Sequence, residues 1–463
     1  MASASRRLNE ADAMFLTVEQ ATGATYAPVS VTVFERPFGD DAATAHLQEV
    51  LVRLLPAMHS RIARDRLSTA LPRWVHVPGF APDDHVVVLP APDDGTLRAV
   101  LDWAADWARL PMSLDAPPWR SVYFEGVTVD GVPGRMVSVG QTHHAMIDGH
   151  GAKRLAEHYL QWAPDGPLPA LPPVPVAEDI SAWGRWKEGW ALEGAKARRL
   201  ADHTRGRLRW AAADPRAGLA RARELVAATR RFQAQQGPIP HSPLLRTRSD
   251  ELRFDLVPVD LPALRAGAKA LGGSVNDGFM AGLSIALHRY HLDHGVRVKE
   301  LRTAMAMSTR SNDDGHSGNE VLGVMLGLPL LDDAETALKQ CREVARSHRE
   351  DRDVLWLIDR FRAFANRLPT ALVVNATRRT LQGIDLQVSN VQGIPTRHWV
   401  AGVEPLRSAP FPVALSSGVA MILQSSAGRA ELGLTTDPAT IKDPQHLIAR
   451  LLEGFVEVAA LAK

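Results

Sequence analysis

Apolar positions in the first third of the chain switch repeatedly between a period of two and a period near 3.6. Residues 26–34, Tyr-Ala-Pro-Val-Ser-Val-Thr-Val-Phe, place β-branched and aromatic side chains at roughly alternate positions, which predicts a strand. Residues 42–55 follow with Leu47, Val50, Leu51, Leu54 and Leu55 at helical spacing, and Pro56 should end or kink that helix. Residues 86–89 read as another strand and 97–110 as another helix. Residues 119–128 and 134–139 then read as two strands joined by a Gly-Val-Pro-Gly turn. The segment as a whole is mixed α/β.

The pattern breaks at residues 164–175, where six of twelve residues are proline and neither helix nor central strand can form. This predicts a stiff connector. Beyond it, residues 181–232 read as helical and carry Trp183, Trp186, Trp190 and Trp210. A second α/β segment starts near residue 252. It holds a helix over 275–291, a strand over 303–308 and a hairpin over 419–434 that turns at Ser-Ser-Ala-Gly-Arg. The last helix opens with Asp443 as N-cap and Pro444 at its first position.

Composition adds little until it is read by segment. A chain of 463 residues is too long for one compact domain, and 45% hydrophobic with 23% charged residues is ordinary for a globular protein. The net charge of +1 excludes a strongly basic nucleic-acid coat, and no nucleic-acid partner is expected. That total is a cancellation: residues 181–232 hold thirteen Arg or Lys against five Asp or Glu, so they carry +8 and the remainder −7. Cys341 is the single cysteine and sits in a charged helical pattern, so neither an internal disulfide nor a nucleophilic thiol is expected. The first residues lack the apolar core of a secretory signal, and no run of some 18 apolar residues suggests a membrane span. A cytoplasmic protein whose membrane contact is peripheral is the expectation.

The segment richest in chemistry is Gln141-Thr142-His143-His144-Ala145-Met146-Ile147-Asp148-Gly149-His150-Gly151, set between a strand and the helical pattern of 152–162. Loops between strand and helix commonly present reactive side chains. One reading makes His144 a general base, with Asp148 fixing its ring or its loop and Gly149 and Gly151 allowing a tight backbone path. A second has His143, His144, Asp148 and His150 bind a metal, but the spacing matches no common zinc pattern. The third is a turn of satisfied polar residues.

The order His-His-x-x-x-Asp-Gly resembles the active-site motif of the CoA-dependent acyltransferase superfamily, which includes chloramphenicol acetyltransferase-like enzymes and peptide-synthetase condensation domains. Further segments narrow the resemblance to bacterial bifunctional wax ester synthase/diacylglycerol acyltransferases. Residues 8–16, Leu-Asn-Glu-Ala-Asp-Ala-Met-Phe-Leu, are similar to the opening of that family, and Pro117-Pro118-Trp119 to its Pro-Leu-Trp motif. Asn276-Asp277, Ser308-Thr309-Arg310, Gly318-Asn319 and Ser389-Asn390-Val391-Gln392-Gly393 are similar to later family motifs, in family order. Pro118 in place of leucine, the extra His150, and Ser242 to Arg246 where the family often has an asparagine are departures. None touches His144 or Asp148, so they put acceptor preference in doubt before activity.

The resemblance implies an α/β fold of two chloramphenicol acetyltransferase-like domains with mixed sheets, joined by a helical connector, with an active-site tunnel between them. The boundaries are 1–178, 179–238 and 239–463. It implies fatty acyl transfer from acyl-CoA to diacylglycerol or a long-chain alcohol, with His144 as general base and no covalent intermediate. Asp148 would be mainly structural, paired with an arginine, and His143, Gly149, Asn276 and Asp277 would support the site. No bound cofactor or metal is expected; acyl-CoA is a co-substrate. Other hydroxyl acceptors, as in condensation-like or polyketide-associated enzymes, or a decayed lipid-surface binding protein, are the alternatives.

Several of these residues also have plainer roles. Ser274 and Asp277 fit a helix-capping pair, Trp119 fits core packing, and Ser389 and Asn390 fit a turn at a domain seam. The basic, tryptophan-bearing 181–232 could pack one face on the core, or meet an anionic membrane or lipid-droplet surface.

Overall fold

The computed structural model describes residues 7–23, 26–39, 41–64, 71–146, 156, 158–173, 181–235, 242–308, 321–366, 368–381, 383–412 and 417–462. The first part runs α1 (Glu10–Thr22), β1 (Val29–Phe34), α2 (Asp41–Leu54), β2 (Ser60–Ala63), β3 (Arg73–His76), β4 (Val86–Pro90), α3 (Leu97–Ala108), β5 (Trp119–Val129) and β6 (Val132–Thr142). Two helices follow, α4 (Ala182–Ala213) and α5 (Pro215–Gln235). The last part runs β7 (Arg253–Val259), α6 (Leu261–Ala270), α7 (Val275–Asp293), β8 (Glu300–Ser308), β9 (Val321–Pro329), α8 (Ala334–Glu350), α9 (Arg352–Ala365), α10 (Thr370–Leu381), β10 (Leu386–Gln392), β11 (Pro405–Phe411), β12 (Val419–Ser426), β13 (Arg429–Thr436) and α11 (Pro444–Ala460).

These strands form two mixed sheets and a small β2–β3 ribbon. One sheet has the order β11-β1-β6-β5-β4 and the other β7-β13-β12-β10-β8-β9. The parallel pairs are β4 with β5, and β10 with both β8 and β12. Alternation at residues 29–34 buries Val29, Val31 and Val33 completely against α3, whose Val100, Leu101, Ala104 and Ala105 face them. Helix α7 behaves differently. Its residues 277–287 are buried on every side, as expected for a helix with apolar and small residues all round. It forms the centre of the larger core with α6, α8 and α11.

One strand crosses between the two sheets. β11 lies in the last third of the chain yet pairs antiparallel with β1, with Thr32 and Ser408 hydroxyls 2.9 Å apart. It occupies the edge of its sheet, where Pro405 and Pro410 leave no ladder donor missing. Its far end carries Phe411, fully buried and stacked on Phe254 of β7 at 4.6 Å. Gly433 of β13 permits this crossing, because a Cβ there would stand 2.2 Å from the Pro410 carbonyl oxygen.

Three local expectations change. The β5–β6 hairpin turns at Asp130-Gly131, both with positive φ (51° and 79°), rather than across Gly-Val-Pro-Gly. Such a pair matches the twist of the flanking strands, so Pro133 falls inside β6 at the exposed hairpin end. Ser389 and Asn390 form no turn: they sit within β10, paired in parallel with Ile422 and Leu423 of β12. Asp443 is the N-cap of α11 but makes no capping bond, because Tyr290 Oη donates to its carboxylate at 2.5 Å.

The helical reading of 181–232 holds as α4 and α5, and Pro164 to Pro173 has no regular element; just before it, Gln161 bridges to Trp399. Residues 152–155 and 157, together with Thr309, Arg310, Gly318 and Asn319, lie outside the described residues. Among the described residues no helix is long and apolar enough to cross a membrane.

Candidate active site

The motif strand is fixed before the motif begins. Gln141, at the end of β6, is fully buried and satisfies its whole amide: Nε2 donates to the Ala27 and Ala108 carbonyls, at 3.1 and 3.2 Å. Its Oε1 accepts from Nε and Nη2 of Arg120, at 2.9 and 2.6 Å. Burial lowers the pKa of Arg120, whose guanidinium also lies over Trp107 at 4.3 Å. A buried amide with every group satisfied holds the strand end in one place.

From there each residue of the turn is tied to a different neighbour. His143 N–H donates to the Pro118 carbonyl at 2.9 Å, and His144 N–H to the Tyr26 carbonyl at 2.9 Å. Met146 N–H returns to the His143 carbonyl at 2.9 Å, closing the turn. Trp119 is buried beneath it with Ala145, Met146, Leu8 and Leu16, and its Nε1 donates to the Met58 carbonyl at 2.7 Å. The packing role expected for Trp119 is therefore the one observed.

The two histidines have different surroundings. The His143 ring is completely buried; its Nδ1 accepts the Ala145 N–H at 3.1 Å and its Nε2 meets Glu19 Oε2 at 2.8 Å. His144 is half-buried, with Phe15 at 5.2 Å and Tyr26 at 6.4 Å between ring centroids. Phe15 and Tyr26 stack on each other at 4.7 Å, so the His144 ring rests against an aromatic pair. Geometry thus gives His143 a buried, fully bonded ring and leaves the His144 ring half-exposed beside the aromatic pair.

Phe15 and Glu19 come from α1, four residues apart and so on one helix face. Asn9 starts that helix by accepting the Asp12 N–H at 2.8 Å, and Gly23 ends it in the left-handed conformation. Neither Glu19, Tyr26 nor Gln141 stands out in the sequence as a site residue. The available signal is that Glu19 falls at helical spacing from the apolar Ala11, Phe15 and Leu16 of α1, where a carboxylate needs a partner.

Asp148, Gly149 and His150 lie outside the described residues. Asn276 and Asp277 stand in the first turn of α7. Asp277 closes a capping box: its carboxylate accepts from Ser274 N–H and Oγ–H, both at 2.8 Å, and its own N–H donates to Ser274 Oγ at 3.3 Å. Asn276 Nδ2 is buried without a hydrogen-bond partner among the described residues. Among those residues, no group of three or more His, Cys, Asp or Glu could hold a metal ion.

Cys341 takes no part. Burial, aided by the Asp277 charge, pushes its thiol up to about 12, so thiolate is scarce at neutral pH. We expect a thiol reagent such as dithiobis(nitrobenzoate) to leave native protein unlabelled and to titrate one thiol after denaturation. Rapid native labelling would contradict the buried placement.

Comparison with known proteins gives this geometry its context. The family model "wax ester synthase/diacylglycerol acyltransferase catalytic domain" matches residues 8–279, and the "WS/DGAT C-terminal domain" model matches 317–459. A putative diacylglycerol O-acyltransferase of Mycobacterium tuberculosis is 30% identical over 413 residues, covering 88% of this chain and 82% of the relative. Another from that organism is 25% identical over 380 residues, covering 80% and 77%. Among solved structures, the wax ester synthase/diacylglycerol acyltransferase of Marinobacter aquaeolei shares the fold at a TM-score of 0.62 and 20% identity, covering 99% of this chain and all of that one. The first condensation domain of the calcium-dependent antibiotic synthetase shares it at 0.61 and 15% identity, covering 99% and 96%.

Proposed function

Because the chain belongs to the wax ester synthase/diacylglycerol acyltransferase family, we propose that it moves a fatty acyl group from acyl-CoA to the hydroxyl of diacylglycerol, of a long-chain alcohol, or of both. The observation that carries this reading is the complete His-His-x-x-x-Asp-Gly segment at the end of β6, inside the stretch matched by the catalytic-domain model. In the reaction, His144 takes the acceptor hydroxyl proton as the oxygen attacks the thioester carbonyl. The tetrahedral intermediate then collapses, the C–S bond breaks, and CoA leaves with the proton returned to its sulfur. Imidazole suits this exchange because it both accepts and releases a proton near neutral pH.

The remaining residues take supporting parts. His143 shapes the loop from within, and Asp148 with Gly149 takes the structural part that the family motif implies. Asn276 Nδ2, a buried donor with no partner among the described residues, is suited to hold a developing oxyanion. Asp277 secures the helix start that carries Asn276. The aromatic pair beside His144 limits water, whose attack on the thioester is the competing reaction. Labelled acyl-CoA incubated separately with diacylglycerol and with hexadecanol, and resolved by thin-layer chromatography, tests the reading. An acyl ester in either reaction supports it, and free fatty acid alone in both refutes it.

Water-insoluble acceptors call for contact with a lipid surface, and α4 offers one. Trp183, Trp190 and Trp210 are 60, 49 and 49% exposed there, beside the exposed Arg198, Arg199, Arg205 and Arg209. Trp183 and Trp186 stack in parallel at 4.7 Å, which makes one broad apolar plate. Tryptophan with arginine is the pairing favoured at anionic interfaces. This supports a cytoplasmic protein peripheral to the inner membrane face or to lipid droplets. Flotation with phosphatidylglycerol-containing liposomes should carry the wild type upward and lose most of a variant with those four arginines changed to Gln. Equal flotation of the two would discard the surface assignment.

A further inference from the structure

We infer that Glu19 is a positioning residue for the reaction: its carboxylate sets the proton of the buried His143 ring and thereby fixes the backbone on both sides of His144. This rests on the reading of His144 as the base. Glu19 is in the last turn of α1, where the helix dipole disfavours an anion, and its side chain is only 12% exposed. A carboxylate held in such a place needs strong donors. Among the described residues it has two: His143 Nε2 at 2.8 Å to Oε2, and Tyr26 N–H at 3.3 Å to Oε1.

Each of those donors leads to His144 by one further step. The Tyr26 carbonyl receives the His144 N–H at 2.9 Å. His143 Nδ1 receives the Ala145 N–H at 3.1 Å, which requires a lone pair on Nδ1 and the proton on Nε2. Glu19 supplies the acceptor that keeps the proton there. The amides of residues 144 and 145 are thus both set by groups that one carboxylate organises, and Phe15 from the same helix face rests against the His144 ring.

Only an acceptor at both oxygens satisfies this arrangement. Glutamine has one acceptor and one donor, so either orientation opposes two donors. With its NH2 toward Tyr26 it meets the Tyr26 N–H. With its NH2 toward His143 it moves the ring proton to Nδ1, directly against the Ala145 N–H. Glu19→Gln therefore keeps the volume and loses the arrangement.

Selective 15N-histidine labelling reads the ring proton without reference to activity, with His143 assigned by the peak lost in His143→Gln. In wild type, His143 is expected as the Nε2–H tautomer, and finding Nδ1–H there overturns the inference with no variant needed. In Glu19→Gln we expect a shift toward Nδ1–H and a fall of about 10–100-fold in kcat, the range found for carboxylates that orient metal-bound histidines, with KM for acyl-CoA little changed. A lower unfolding midpoint with kcat per folded enzyme and the His143 spectrum unchanged would make Glu19 merely stabilising and overturn the proposal. Should His144→Ala retain activity, the underlying reading fails instead, while the tautomer result stands as measured.

Discussion

Purified His144→Ala is expected to lose about 10²–10⁴ of its acyl-transfer rate, the usual contribution of a positioned general base. The protein should remain folded. His144 is half-buried within a turn whose backbone is held by Tyr26, Pro118 and the His143 ring, and alanine keeps all of those backbone bonds. The unfolding midpoint should therefore stay close to wild type while turnover collapses. Near-wild-type transfer by a folded His144→Ala protein would remove His144 from the mechanism. Cys341 offers no alternative route, since its thiol is buried and held far from ionisation.

The second large effect concerns the crossing strand. Phe411→Ala should cost about 3–5 kcal/mol of stability, as expected for removing a fully buried aromatic side chain. The ring lies in the apolar cluster shared by α3, β1, β5 and β6, against Phe254 of β7, so its loss opens a cavity between elements of both sheets. Phe411→Leu should recover part of the loss because it refills most of the volume. Chemical denaturation of the three proteins side by side measures this. A cost below about 1 kcal/mol for alanine, far under the usual range, would show that the ring does not anchor β11.

Much of the fold can be read locally because its causes are local. Alternation at 29–34 makes a strand with one wholly buried face, and the Ser274/Asp277 pair marks the start of α7 as a closed capping box. The 419–434 hairpin and the helices α2 and α3 follow from the same short-range rules. Errors arise where two local signals compete. Gly-Val-Pro-Gly and Asp-Gly are both turn signals, and the strand twist selects the second. Ser389-Asn390 looks like a turn until β12 takes it as a parallel partner. Asp443 looks like a cap until Tyr290 takes its carboxylate.

At the site, the sequence by itself determined the candidate segment: His143 and His144 after a strand, in an order that resembles one acyltransferase superfamily. It determined as well the charge hidden in a neutral total, which α4 and α5 carry as helices. Tertiary structure alone decided which histidine is buried, and which groups hold it. Glu19 lies 124 residues from His143, and β11 reaches β1 across 376 residues between Thr32 and Ser408. Periodicity records which face of an element is buried, but not what buries it. A carboxylate on the packed face of a helix, or a strand holding two prolines, acquires its meaning only from the partner that folding brings alongside.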